Sequence, residues 1–256
     1  MVLAIDIGNT NIVIGGFDND NLAFVARMAT NTFKTEDEYA TQILDILSIH
    51  NVKKETVSGA IVSSVVPQLN SIIKRALLFA YNINAILVSP GIKTGINIQC
   101  DDPTSVGADL ICACVAAHHL YGSPSIIIDM GTATKMMIVN HSGSFVGAVI
   151  IPGVQIALNA LARGTAQLPH IGLETPKSVI GKNTIDCMRS GVVFGNASMI
   201  DGMIDRCIEE LGEDVKVFAT GGLSNAIIPH CKHKITLDSD LVLKGLNICC
   251  IYNLLN

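Results

Sequence analysis

The chain has 256 residues, 49% of them hydrophobic and 15% charged, a balance that excludes disorder and supports a large buried core in one or two domains. Lysine plus arginine is 17 and aspartate plus glutamate is 22, so the net charge is 17 − 22 = −5. With no basic stripe to neutralise phosphates, a nucleic-acid-binding surface is not expected.

Residues 2–7 (VLAIDI) form an apolar run that ends in an acid and predicts a buried strand. Residues 11–17 and 22–28 predict two more strands joined by a DND turn. Thr35 and Glu38 stand at capping-box spacing, and Tyr39, Ile43, Leu44 and Leu47 recur behind them at helical spacing. A strand over 59–66, a helix opened by Pro67 and running to Ala80, a strand over 84–88 and a helix from Ser105 to Leu120 complete the first half. The second half repeats the order. It has strands at 125–130, 134–139 and 144–150, helices at 153–163 and 184–211, a strand at 215–219 and a last helix near 239–254.

The two halves open alike, with AIDIGNTNIVI and IIDMGTATKMMI. Asp6 and Asp129 lie 129 − 6 = 123 residues apart, about half the chain. The boundary is placed near residue 121, at Tyr121-Gly122-Ser123-Pro124, giving domains of 1–121 and 122–256. No apolar run reaches the roughly 18 to 20 residues of a membrane span. The early acid and the lack of a basic leader argue against a signal peptide. The eight cysteines, Cys100, Cys112, Cys114, Cys187, Cys207, Cys231, Cys249 and Cys250, include no C-x-x-C pair. Buried reduced thiols in a cytoplasmic protein are the expectation.

In Asp6-Ile7-Gly8-Asn9-Thr10-Asn11 a strand ends on a carboxylate. Gly8 permits a tight turn and close approach of an oxygen-rich ligand to backbone amides, while Asn9 and Thr10 add side-chain donors. A carboxylate repels polyphosphate and is useful beside it only through a magnesium ion. Taken singly, this stretch reads equally well as an ordinary hairpin turn. Its recurrence as Asp129-Met130-Gly131-Thr132-Ala133-Thr134 points to two hairpins gripping the phosphates of a nucleotide. Ala219-Thr220-Gly221-Gly222, between a strand and a helix, offers a third glycine-lined approach. Competing signatures fail. Pro176 and Asn183 spoil a P-loop around Gly181-Lys182, and no G-x-G-x-x-G, H-E-x-x-H or G-x-S-x-G occurs. Met136 and Met137 read as core, Cys112 and Cys114 do not share a helix face, and His118 and His119 meet a helix C-terminus.

The paired Asp-x-Gly-x-Thr hairpins resemble those of the acetate/sugar kinase, heat-shock ATPase and actin superfamily. Within it, the chain resembles the type III pantothenate kinases. The matching stretches are DIGNTN at 6–11, KTEDEY at 34–39, IVSSVVP at 61–67, GIKTGINI at 91–98, DPTSVGADL at 102–110, IDMGTAT at 128–134, IPGV at 151–154, LP at 168–169, GKNT at 181–184 and ATGGL at 219–223. The resemblance implies an α/β fold of two tandem ribonuclease-H-like (actin-like ATPase) domains, each a mixed sheet flanked by helices. It implies ATP-dependent phosphorylation of pantothenate to 4′-phosphopantothenate, the first step of coenzyme A biosynthesis, by a homodimer. ATP would be bound by Asp6, Ile7, Gly8, Asn9, Thr10, Asn11, Ile12 and Val13 and by Thr132. Asp6 would help hold Mg2+, and Asp129 would bind a monovalent cation, K+ or NH4+. Gly107, Ala108, Asp109 and Leu110, with Cys100, would meet pantothenate beside Val106. Asp109 would be the proton acceptor and Thr184 would reach the substrate from the partner subunit.

Asp109 also has a plain reading as an acid in a first helical turn, where the dipole favours its charge. Phosphoryl transfer through a loose transition state asks mostly for positioning, so an ionised carboxylate suffices as late proton acceptor. The sequence departs from the family at three places. Leu110 replaces an arginine, which removes a charge-assisted hydrogen bond of roughly 1.5–3 kcal/mol. Cys100 replaces a tyrosine, and Lys135 ends the G-T-A-T-T motif. Strand alternation turns Lys135 away from Thr134, so Lys135 is expected to face away from the phosphates as a bland substitution; a shifted turn would instead let its ammonium take part of the cation's role. Leu110 and Cys100 keep two alternatives open. One is a catalytically impaired nucleotide-binding regulator, the other a kinase for a related hydroxyl substrate.

Overall fold

The computed structural model describes residues 1–254. The chain divides into two compact units, Met1–Leu120 with the segment from Asp240 onward, and Tyr121–Ser239.

In the first unit β1 (Val2–Ile7), β2 (Asn11–Asp18) and β3 (Asn21–Ala29) form a meander, followed by α1 (Glu36–Ile49), β4 (Gly59–Ser64), α2 (Pro67–Tyr81), β5 (Ile86–Leu87) and α3 (Ala108–Tyr121). The sheet order is β3-β2-β1-β4-β5, with β1 antiparallel to β2 and parallel to β4. Because strand side chains alternate, Leu3, Ile5 and Ile7 share one face. There they form a core with Tyr39, Ile43 and Leu47 of α1 and Leu69, Ile73 and Leu77 of α2. The Thr35 and Glu38 capping box is present, with the Thr35 N–H donating to Glu38 Oε2 at 2.8 Å. Pro67 stands at the start of α2, where its missing N–H costs nothing.

The expected strands over 59–66 and 84–88 shorten to Gly59–Ser64 and Ile86–Leu87. The helix expected from Ser105 begins at Ala108. Asp102 caps a separate 3-10 turn over Pro103–Ser105, and Val106 is extended, so the helix cannot start earlier.

The second unit repeats the design with β6 (Ser125–Met130), β7 (Ala133–Val139) and β8 (Phe145–Pro152), then α4 (Val154–Arg163), α5 (Thr184–Leu211), β9 (Lys216–Thr220), α6 (Ser224–Ile227) and β10 (Ile235–Leu237). Its order, β10-β9-β6-β7-β8, is the first sheet's order read from the other edge. Ile126, Ile128, Met130 and Met136 pack with Val154 and Leu158 of α4 and Met188, Val193, Ala197, Ile200 and Ile204 of α5. The helix expected after Gly222 is the four-residue α6, while periodicity does not announce β10, which spans only three residues.

The last helix, α7 (Leu241–Leu254), departs from the expected division into 1–121 and 122–256. It packs on β1 and β4 and belongs with the first unit. Gly245 permits this: a Cβ there would overlap the Cys112 carbonyl of α3. Among the described residues no helix is long and apolar enough to cross a membrane.

Candidate active site

Asp6 lies on β1 opposite Val13 of β2 and beside Ser63 of β4. Since Leu3, Ile5 and Ile7 face α1 and α2, alternation puts Asp6 on the other face, where it is half-buried. The turn after it is braced by backbone. The Gly8 N–H donates to the Asn11 carbonyl at 3.0 Å, and Thr30 donates from Oγ1 to the Gly8 carbonyl at 2.7 Å and from N–H to the Thr10 carbonyl at 3.0 Å. A Cβ on Gly8 would stand 3.1 Å from the Asn11 carbonyl, tighter than ordinary packing. Asn9, Thr10 and Asn11 are exposed at the tip. The Ile7 and Ile12 side chains are fully buried in the core, which leaves only their backbone to a ligand, and Val13 is half-buried.

Asp109 is the second residue of α3, a position where the helix dipole favours a carboxylate. The carboxylate lies over Gly107, since a Cβ there would come 2.5 Å from Asp109 Oδ1. The preceding turn is fixed by Asp102, whose Oδ1 accepts from Thr104 Oγ1 at 2.6 Å and Thr104 N–H at 3.1 Å. Val106, Gly107, Ala108 and Cys100 are half-buried, and Leu110 is only 9% exposed. One turn on, the Cys112 thiol is fully buried. Its pKa is driven far up, first by its hydrogen bond with the Cys249 thiol, then by burial, then by the charges of Cys249, Asp6 and Asp109. Thus Asp6 and Asp109, distant in sequence, both act on one thiol of the first unit. Spacing alone gave no signal for this neighbourhood.

In the second unit Asp129 lies on β6 opposite Lys135 of β7 and beside Thr220 of β9. Directly opposed residues share a face. Lys135 Nζ stands 3.0 Å from Asp129 Oδ2, with side-chain exposures of 19% and 17%. Thr134 takes the core face with Met136 and is fully buried, and its hydroxyl makes no hydrogen bond among the described residues. This corrects the reading of Lys135 as a bland substitution. Alternation does turn it from Thr134, but the face it turns to is the one that carries Asp129.

The second hairpin closes as the first does, with the Gly131 N–H donating to the Ala133 carbonyl at 3.1 Å and Thr132 exposed at the tip. Two glycines bring other backbone against it. Gly221, at φ +93°, would place a Cβ 2.6 Å from Met130 N and 2.7 Å from Asp129 Oδ1, so the A-T-G-G segment lies directly on the Asp129-Met130 peptide. A Cβ on Gly153 would overlap the Thr132 carbonyl. The I-P-G-V stretch at 151–154 carried the family resemblance and gave no sign of this contact. Thr184 opens α5, exposed, behind Asn183, whose Oδ1 accepts from the Asp186 N–H at 2.9 Å.

Among the described residues no group of three or more His, Cys, Asp or Glu side chains could hold a metal. The oxygen-rich first hairpin with one carboxylate suits Mg2+, which takes one or two carboxylates and fills its shell from water and substrate phosphates. The monovalent cation does not fit in the same way, because the carboxylate expected to hold it already faces the Lys135 ammonium.

Two five-stranded mixed sheets of matching order, each opened by an Asp-x-Gly hairpin, define the actin-like ATPase and sugar-kinase fold. The inorganic polyphosphate/ATP-glucomannokinase of Arthrobacter sp. strain KM shares that fold, with a TM-score of 0.51 at 14% identity over 100% of this chain and 99% of that one. A protein assigned to the Baf family of transcriptional activators from Campylobacter jejuni shares it with a TM-score of 0.63 at 18% identity, covering 99% and 100% of the two chains. The family model for type III pantothenate kinase matches residues 2–206. The type III pantothenate kinase of Halalkalibacterium halodurans is 40% identical over 248 residues, 97% of this chain and 98% of the relative. The chain belongs to the type III pantothenate kinase family.

Proposed function

We infer that the chain transfers the γ-phosphoryl group of ATP to the primary hydroxyl of pantothenate, the entry step to coenzyme A. The observation that carries this is the family match over nearly the whole chain, on a fold whose two acidic hairpins are both intact. The first hairpin supplies backbone amides around Gly8 and the exposed Asn9 and Thr10 for ATP phosphates, and Thr132 supplies a donor at the second. Asp6 holds Mg2+, which supplies charge neutralisation on the phosphates when bound. Asp109 accepts the hydroxyl proton, its position favoured by the α3 N-terminus. Gly107 and Ala108 present backbone to the substrate beside Cys100, Val106 and Leu110.

Leu110 is mostly buried, so it contributes an apolar wall and no charge. Pantothenate affinity then rests on the remaining polar contacts, Thr184 among them. A homodimer fits Thr184's assignment to the partner's site. Val179, Ile180 and Ile185, at 65%, 80% and 43% exposure, flank Thr184 and offer apolar surface for a second copy. A cytoplasmic location follows from the substrate and cofactor pools that this reaction draws on.

Growth of a bacterium lacking its own pantothenate kinase tests the reading in cells. Rescue by the wild-type chain and failure by Asp109→Asn is the expected result. Failure of both, with normal expression, favours the regulatory alternative, and phosphorylation of a different alcohol in a substrate panel favours the third.

A further inference from the structure

We propose that Lys135 takes the place of a monovalent cation at Asp129, so that the chain binds MgATP and turns over without added potassium or ammonium. This rests on the kinase reading above. The pair is built into the sheet. Asp129 and Lys135 are direct partners in the antiparallel β6–β7 register, Nζ and Oδ2 stand 3.0 Å apart, and both side chains are more than four-fifths buried. The first hairpin shows that the repeat does not impose this pair, because the residue opposite Asp6 there is Val13.

The surroundings hold the carboxylate in place. Gly221 lies against the Asp129-Met130 backbone, and Gly153 lies against the Thr132 carbonyl that ends the same turn. A lysine head group is a compact point charge with three N–H donors, the same charge and the same donor type as an ammonium ion. Held by a strand, it sits at the carboxylate whatever the salt composition of the buffer, so no free ion has to be captured. A potassium ion seeking Asp129 meets a positive charge already there, at short range and largely shielded from solvent.

The test uses the purified full-length protein in buffers whose monovalent cation is choline, with or without KCl or NH4Cl. Three readouts are followed: MgATP affinity by calorimetry, melting temperature, and ADP release with pantothenate. The wild type is expected to respond to K+ and NH4+ no more than to the same ionic strength of choline. Lys135→Thr and Lys135→Met open the carboxylate. In them K+ should tighten MgATP by about 5- to 150-fold, the usual range of coupling between two ligands, with a saturable rise in melting temperature. A wild type whose MgATP affinity rises by such a factor on adding K+ overturns the inference, whether or not either variant folds. So does a folded Lys135→Thr protein that binds MgATP fully in choline and gains nothing from K+. Absence of turnover in every buffer counts against the kinase reading alone, because the calorimetric and melting arms still decide the role of Lys135.

Discussion

Asp109→Asn exchanges one carboxylate oxygen for an amide nitrogen at nearly constant volume. At the second position of α3 the lost charge removes a favourable interaction with the helix N-terminus, about 0.3–1 kcal/mol. For a chain of this size that lowers the melting temperature by only about 1–4 °C. Catalysis should suffer far more. A positioned proton acceptor contributes about 10²- to 10⁴-fold, or roughly 3 to 5 kcal/mol of barrier. The asparagine also presents an N–H2 group where the substrate hydroxyl needs an acceptor. MgATP affinity should stay at the wild-type value, since the residue is assigned to the alcohol and not to the nucleotide. A coupled ADP-release assay at saturating pantothenate, beside calorimetric MgATP titration, separates the two quantities. A kcat reduced by less than about tenfold, below the general-base range, refutes the role assigned to Asp109. A loss of MgATP binding equal to the loss of turnover refutes it differently, by placing Asp109 at the nucleotide.

Gly221→Ala combines a left-handed φ of +93° with a Cβ at 2.6 Å from Met130 N, and should lower both melting temperature and MgATP affinity. Gly222→Ala, with nothing within 4 Å of its Cβ, is the control for folding and should leave the melting temperature unchanged. Gly245→Ala drives a methyl into the Cys112 carbonyl and should cost about 1–3 kcal/mol in a urea unfolding curve; a neutral result would contradict the close packing of α7 on α3. The Tyr121 hydroxyl donates to Asp238 Oδ2 at 2.7 Å, and burial first, then that bond and the Asp238 charge, push its pKa up to about 12. The unfolded value is about 10, so the folded state keeps this proton longer. Its contribution to stability is complete below about pH 10 and is lost as pH rises toward 12. The urea midpoint should fall across that window, and Tyr121→Phe should remove that part of the fall.

Much of this was legible in the residues because the signals were local. VLAIDI and SIIIDM became β1 and β6, the Thr35 and Glu38 box caps α1, and Pro67 opens α2. The repeat of Asp6 at Asp129 foretold two sheets of one order. What stayed hidden depends on partners far apart in sequence. Nothing in LVLKGLNICCIYNL says which sheet α7 covers; its small Gly245 meets a residue 133 positions earlier, Cys112. α3 and α7 are apolar nearly all round, so neither has a polar stripe from which to read its orientation. The role of Lys135 is hidden for another reason. Alternation fixes its face only relative to Thr134, whereas the decisive residue is its cross-strand partner Asp129, and that register depends on how many residues the turn holds.

This chain joins the γ-phosphoryl group of ATP to pantothenate at its primary hydroxyl. Mass spectrometry with phosphorus NMR of the product formed from purified protein, ATP, Mg2+ and pantothenate tests it most directly. The expected products are stoichiometric 4′-phosphopantothenate and ADP, formed about 10²- to 10⁴-fold more slowly by Asp109→Asn. ATP bound tightly by the wild type, with pantothenate recovered unchanged, would contradict it.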